Sequence, residues 1–275
     1  MNTSKLKRSA AIIALSLSLS SPLFAHDFWL APSTYDTAND TTVDVKIMIG
    51  HPTDRMEWPV NPHRVISFRS FGPAGVSDHQ SAIADYRRND GLPLSFMDAG
   101  THLLTIETTQ AFSKLDADKF NAYLDEEGLT SVKVDRASNR KTNASGTELY
   151  SRRGKSIIQV GKLSDSEPDF ITRPVGMTLE IVPSANPMRL SKNDEMTSTV
   201  YYRGAPKAGV SIGLIDLTGE RGLVSTQVSN KDGKVTFSRP QSGNWMQHAV
   251  WSDPIERPDR ADYDTVFSSL SFSIP

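Results

Sequence analysis

The chain contains no cysteine among its 275 residues. This absence excludes disulfides, thiol nucleophiles, thiolate metal sites and iron–sulfur clusters, so a metal ion would be held by His, carboxylate, Met or backbone groups. A basic cluster is also missing, since 30 Lys and Arg are spread against 32 Asp and Glu, and we therefore expect no nucleic-acid partner. G-x-S-x-G, H-E-x-x-H and phosphate-binding glycine motifs are absent too, so we expect the protein not to be an enzyme.

The first 25 residues have the pattern of a secretory signal peptide. The segment begins with three basic residues, Lys5, Lys7 and Arg8. An apolar stretch over residues 10–19 follows, which is too short to span a bilayer, and the small residue Ala25 suits a cleavage site. We predict export, cleavage after Ala25, a mature chain that does not span the membrane, and His26 as its first residue.

Short segments of alternating apolar and polar residues, separated by Gly, Pro and Asp, recur through the mature chain. Residues 41–49 alternate in this way and predict a half-buried strand. In the second half, seven such segments over about 100 residues predict an immunoglobulin-like or transthyretin-like sandwich. We therefore predict an all-β protein with two β-sandwich domains, over residues 26–170 and 176–275.

One segment has a helical period instead. Residues 116–128 place apolar side chains at i, i+3 and i+4, and Gly128 can end a helix, which predicts one short helix in the first domain. The proline-rich residues 52–62 and the polar residues 136–147 are predicted to be exposed loops.

An acidic run at residues 125–127 lies at the carboxyl end of this predicted helix. Carboxylates are unfavourable there because the helix dipole is negative at that end, so a cationic partner is expected. We predict that the cations of residues 152–155 fill this role and hold the helix to a sheet.

The metal-binding hypothesis begins at the predicted mature terminus. An amino-terminal His26 would carry a free α-amine and an imidazole on one residue, so both could chelate one ion. With a second imidazole this makes a histidine brace, whose nitrogen donors suit Cu(II), Ni(II) or Co(II). The best second ligand is His51, at the junction of a strand and a loop, and Asp27 could add an oxygen. The alternative is that His26 is merely the first mature residue and His51 a solvated loop residue.

Two further histidines complete the candidate set. His102 begins a predicted strand, and His248 lies in another. His248 shares a face with Met246 and Val250, which favours a core histidine over a ligand.

Several segments together resemble one bacterial family. They are residues 26–30 (HDFWL), 119–124 (KFNAYL), 126–129 (EEGL), 150–152 (YSR) followed by Lys155, 176–183 (GMTLEIVP) and 232–237 (DGKVTF). The chain resembles an exported domain-of-unknown-function family often labelled NikM-like or NikK, accessory to nickel and cobalt uptake. The resemblance implies a periplasmic transition-metal-binding protein that works with membrane components of a metal-uptake transporter. Nickel or cobalt is implied by the family, and copper or iron remain open.

Two other readings stay open at this point. The first is a metal-free β-sandwich interaction module of a membrane uptake system, because fold alone does not define function. The second is a histidine-brace copper enzyme, which would use the same terminal residue.

Overall fold

The computed structural model describes residues 27–51, 54–219, 222–256 and 259–275. The predicted signal peptide and His26 lie outside these ranges. Numbered in chain order, the described strands are β1 (Asp27–Pro32), β2 (Asp36–Thr37), β3 (Thr41–His51), β4 (Asp54–Glu57), β5 (Val65–Gly72), β6 (Gly75–Asp78), β7 (Leu92–Phe96), β8 (Gly100–Thr108), β9 (Ala111–Leu115), β10 (Gly146–Val160), β11 (Leu179–Pro183), β12 (Glu195–Tyr202), β13 (Ala205–Pro206), β14 (Ser211–Asp216), β15 (Gly222–Val228), β16 (Lys234–Ser238), β17 (Gly243–Pro254) and β18 (Tyr263–Ile274). The α-helices are α1 (Ala117–Glu126), α2 (Thr130–Ser138) and α3 (Asp169–Thr172). The prediction of a mainly β-sheet protein is confirmed.

A ten-stranded sheet takes strands from both halves of the chain. Its main path runs β15-β14-β17-β18-β10-β8-β5-β6, and β2 and β9 also pair with β10. At its centre β10 and β18 pair in parallel, from Glu148 opposite Tyr263 to Ser156 opposite Ser271. This pairing joins the two predicted domains by backbone hydrogen bonds, because β10 lies within residues 26–170 and β18 within residues 176–275.

Two four-stranded sheets cover this central sheet. One contains β1, β3, β4 and β7, and the other contains β11, β12, β13 and β16. The alternation predicted around β3 is confirmed, since Val43, Val45 and Ile47 are buried in one apolar core with Leu104 of β8. A second core packs the other four-stranded sheet against β14, β17 and β18.

The structure differs from the two predicted loops. Residues 54–57 form β4, because they continue the ladder of β3 with His51 opposite Asp54. Residues 130–138 form α2, whose Arg136 is 1% exposed and lies 4.8 Å from the ring centroid of Phe120. Its guanidinium also donates to the Ala144 carbonyl at 2.6 Å. A cation–π contact and a tertiary hydrogen bond thus bury a residue that local composition places in solvent.

The helix predicted over residues 116–128 is confirmed as α1. Its apolar face, Phe120, Tyr123 and Leu124, is buried together with Val250 of β17 and Phe267 of β18. The helix therefore ends against the strands that form the candidate site. Of the helices in the described ranges, none is long and apolar enough to cross a bilayer.

Candidate functional site

A cavity of about 480 Å³ lies where the carboxyl end of α1 meets strands β1, β3, β14, β15 and β17. Its polar side consists of two imidazoles and three carboxylates: Asp27, His51, Glu126, Glu127 and His248. Three of these were candidate ligands in the sequence, and the fold brings them together from distant parts of the chain.

Strand pairing explains why the amino-terminal residue of β1 reaches this cavity. β1 runs antiparallel to β3 with Asp27 opposite Gly50, so Asp27 lies beside the end of β3 that carries His51. Two buried serines of β18 hold β1 in place. Ser269 donates a hydrogen bond to the Phe28 carbonyl at 2.6 Å, and Ser271 donates one to the Leu30 carbonyl at 2.7 Å. The position of Asp27 is thus set by buried backbone contacts on two sides.

His248 forms the centre of the buried part of the site. It lies on β17 between Gly213 of β14 and Ser269 of β18. Its Nδ1 is 3.0 Å from Asp27 Oδ1 and 3.9 Å from Glu127 Oε2, and all three side chains are 9% exposed. Its Nε2 is buried and has no hydrogen-bond partner in the described part of the chain. One ring nitrogen is therefore held by carboxylates, and the other is unused.

The charges of this group are strongly coupled. Burial alone would lower the pKa of His248, but the charge and hydrogen bond of Asp27, with the charge of Glu127, outweigh it and raise the pKa to about 9. Burial raises the pKa of Glu127 to about 7 against the opposing charge of His248. At neutral pH the metal-free site thus holds an imidazolium beside at least one carboxylate.

His51 occupies the more open side of the cavity. Its Nδ1 lies 3.3 Å from Glu126 Oε1, and the two side chains are 39% and 54% exposed. The acidic end of α1 therefore has imidazole partners, as the helix dipole requires. The predicted partners over residues 152–155 are wrong, because Arg153 pairs with Glu107 and Lys155 with Glu180.

A second buried polar layer fixes the end of α1. Tyr123 donates a hydrogen bond to Glu148 Oε2 at 3.2 Å, and Thr265 donates to the same oxygen at 2.7 Å. Burial raises the pKa of Glu148 to about 7, although these hydrogen bonds and the charge of Arg152 oppose the rise. This layer links α1 to the central strands β10 and β18.

His102, the remaining described candidate, is not part of this cavity. It lines a separate cavity of about 90 Å³ together with Asp98, and its Nε2 donates to the Asp98 carbonyl at 2.8 Å. Its Nδ1 side is closed by Gly72, where even an added Cβ would lie 2.4 Å from that nitrogen. The ring is held by backbone and packing there.

The donors of the main cavity suit a transition metal but do not form a complete set by themselves. Imidazole is a common ligand of nickel, cobalt and copper, and a carboxylate on one ring nitrogen is the usual way to orient such a ligand. Within the described ranges, however, no group of three or more His, Asp or Glu side chains is arranged to hold a metal ion. A further donor is needed, and the predicted one, His26, lies outside those ranges.

Sequence reasoning missed two parts of this cavity and the buried layer behind it. Glu127 was taken as one of a surface acidic run, and Glu148 carried no local signal. The opposite wall, formed by β14 and β15, was read only as ordinary sandwich strands. The acidic run at the helix end was the one available signal, since it predicted a cationic partner of the kind that His248 provides.

Comparison with known proteins places the chain in one family. A family model described as "Domain of unknown function (DUF4198)" matches residues 23–253, so the chain belongs to this family. No curated protein matches the chain.

Several solved structures share a distant likeness with the chain. The D0-D1 domain of intimin is 12% identical, with 89% of this chain and 97% of that chain covered and a TM-score of 0.21. A tetra-tandem repeat from the extending region of a large adhesion protein is 11% identical, with 90% and 49% covered and a TM-score of 0.20. A mutant Salmonella alpha-2-macroglobulin is 12% identical, with 90% and 15% covered and a TM-score of 0.21. Such low TM-scores carry no argument about function.

Proposed function

We propose that this protein is an exported, periplasmic accessory protein that binds a transition metal ion for uptake or handling. Nickel or cobalt is the first choice, and copper or iron are the alternatives. One observation carries the proposal: Asp27, His51 and His248, chosen as candidate ligands from sequence, line a single cavity. They come from the start of the described chain, the end of β3 and the penultimate strand, so local chain geometry does not explain their meeting.

His248 is proposed as a ligand through Nε2. Metal-binding histidines usually give their other ring N–H to a carboxylate, which fixes the tautomer and the ring orientation. Asp27 stands in this place, 3.0 Å from Nδ1, so it acts on His248 and is not itself a required ligand. Binding displaces the extra proton of the imidazolium, so affinity rises with pH.

His26 is proposed to complete the site. It directly precedes Asp27 in the chain, and Asp27 lines the cavity. As the mature terminus it would supply an α-amine and an imidazole, and His51 and His248 would add two imidazoles. Since the described residues alone lack a group of three donors, the proposal requires this terminus.

The test is a calorimetric titration of mature protein that begins at His26 with Ni(II), Co(II) and Cu(II). His248→Ala, His51→Ala and a form with one glycine added before His26 are compared with His63→Ala, an exposed histidine that serves as a matched control. We expect one ion per chain, and a loss of affinity of at least about tenfold, or 1.4 kcal/mol, in the first three but not in the control.

Three results would count against the proposal. Equal affinity in the extended form and the native form would remove the role of the terminus. Absence of stoichiometric binding by any of the three metals would leave the metal-free interaction module as the better function. Oxygen consumption with ascorbate by the copper-loaded protein would favour the histidine-brace enzyme instead.

The wider assignments belong to the same proposal. The two separate apolar cores support two sandwich domains, over residues 26–170 and 176–275, that share the ten-stranded sheet. Work with membrane components of a metal-uptake transporter is proposed from the family resemblance.

A further inference from the structure

Strand β15 forms one end of the ten-stranded sheet, and in the described part of the chain it pairs only with β14. Its outer edge therefore carries backbone groups that point away from the sheet. Ser229, the residue after β15, donates its N–H to the Val210 carbonyl on the β14 side. Because the bonding side alternates along a strand, the N–H groups of Val228 and Thr226 face the outer edge.

The other terminal strands of the described sheets carry features that discourage pairing with another chain. β4 has three charged residues in four (DRME), and β1, β7 and β11 each contain a proline. β9 and β16 each contain a lysine, while β2, β6 and β13 are only two to four residues long. Charge, proline and short length are the usual protection of a free edge.

β15 (GLVSTQV) contains no charged residue and no proline. A bulge at Val224 shifts its register with β14, but residues 225–228 pair with β14 without interruption. Three of the ten exposed large apolar side chains of the described chain belong to this strand: Leu223, Val224 and Val228, at 54%, 47% and 63% exposure. An uncharged strand of this kind at a free edge is a template for a further strand.

The strand is also complementary to itself. Two copies that pair antiparallel about Thr226 place Val224 of each copy opposite Val228 of the other, so one pair of β-branched side chains lies on each side of the axis. No like charges meet, because the strand has no charge. Antiparallel pairing of identical strands generates a two-fold axis perpendicular to the sheet, and two-fold symmetry is by far the commonest among protein dimers.

We propose that two copies of this chain associate through β15 and form one continuous sheet across a two-fold axis. The two cavities then lie on the same face of the joined sheet, because rotation about a perpendicular to the sheet keeps each face on its own side. Thr226 lines the cavity and lies at the axis, so the second copy's strand borders the rim of each site. The proposal rests on strand pairing and does not depend on a bound metal.

The test combines sedimentation velocity of the mature protein, over a range of concentrations, with disulfide cross-linking. Val228→Lys places a charge in the edge, and Val134→Lys on α2 is the matched control, because the two valines are 63% and 61% exposed. Since the chain has no cysteine, single-cysteine variants at residues 224–228 can be oxidised beside Val134→Cys as the control. Opposite Cα atoms of an antiparallel pair are about 4.5 to 5.5 Å apart, which a disulfide can span.

We expect a dimer with a Kd below about 100 μM, weakened at least about tenfold by Val228→Lys and unchanged by Val134→Lys. Oxidation should cross-link Thr226→Cys more than its neighbours and leave Val134→Cys monomeric. A wild type that stays monomeric at about 500 μM would overturn the proposal and leave this edge to a strand of another protein. The proposal also fails if both lysine variants weaken the dimer alike, or if no cysteine at residues 224–228 cross-links more than the control. Cross-linking decides the matter if Val228→Lys does not fold.

Discussion

Replacing Asp27 by Asn should flatten the pH dependence of stability that the buried His248 creates. The pKa of His248 is raised from 6.5 to about 9 in the folded protein, where Asp27 lies 3.0 Å from its Nδ1. A raised pKa means that protonation favours the folded state, so the stabilisation is complete below about pH 6.5 and is lost as pH rises through 9. At 1.36 kcal/mol per pH unit the difference amounts to about 3 kcal/mol.

The assay is urea unfolding of the metal-free protein in EDTA at several values between pH 6.5 and 9.5. We expect the wild type to lose about 3 kcal/mol of unfolding free energy over this interval, and Asp27→Asn to lose less than about 1 kcal/mol. Asp85→Asn serves as the control, since that carboxylate is 82% exposed, and it should keep the wild-type profile. Glu127 contributes little to this fall in unfolding free energy. Its pKa is raised to about 7, so the stabilisation that comes from its protonated form is lost mostly below the tested interval. A flat wild-type profile, or an unchanged fall in Asp27→Asn, would refute the reasoning.

Three further predictions concern other parts of the structure. Lys155→Met should lower the unfolding free energy by about 3–5 kcal/mol in urea, because Lys155 and Glu180 are each 1% exposed and the change leaves a buried carboxylate without its cation; a loss below about 1 kcal/mol would contradict this. Tyr123→Phe removes one of the two hydroxyl donors to Glu148 and should cost about 1 kcal/mol in the same assay, whereas a gain in stability would show that the layer does not fix α1. His102→Ala should leave nickel affinity within about twofold of wild type in calorimetry, because the ring of His102 lies in a separate cavity. A tenfold loss would show that His102 takes part in nickel binding.

Local periodicity predicted those elements whose burial follows their own sequence. β3 alternates, and its Val43, Val45 and Ile47 are buried as the pattern indicates. α1 was predicted from a spacing of i, i+3 and i+4, which places its apolar side chains on one face. β4 was missed because its four residues become a strand only through pairing with β3. α2 was missed because its buried Arg136 is stabilised by Phe120 and Ala144, which lie outside the helix.

The candidate site, like the fold, was predicted only in part from the sequence. Asp27, His51 and His248 could be selected from sequence because few residue types bind a metal in a chain without cysteine. Their meeting in one cavity, the separation of His102 from it and the contact of Glu127 with His248 depend on strand order. The partners of the acidic helix end were predicted wrongly, since charge alone gives the sign of a partner and not its position.

The sequence by itself determined the β-rich character, the short helix α1 and a small set of possible donor residues, because side-chain period and donor chemistry are properties of neighbouring residues. Only the tertiary structure decided that the first described strand packs on the last one, that an ion pair forms between Asp27 and His248, and that one cavity collects side chains from five strands and the end of α1. These facts follow from pairing between strands far apart in sequence. Such pairing is selected by burial and backbone hydrogen bonds summed over the whole sheet, so no single segment records it.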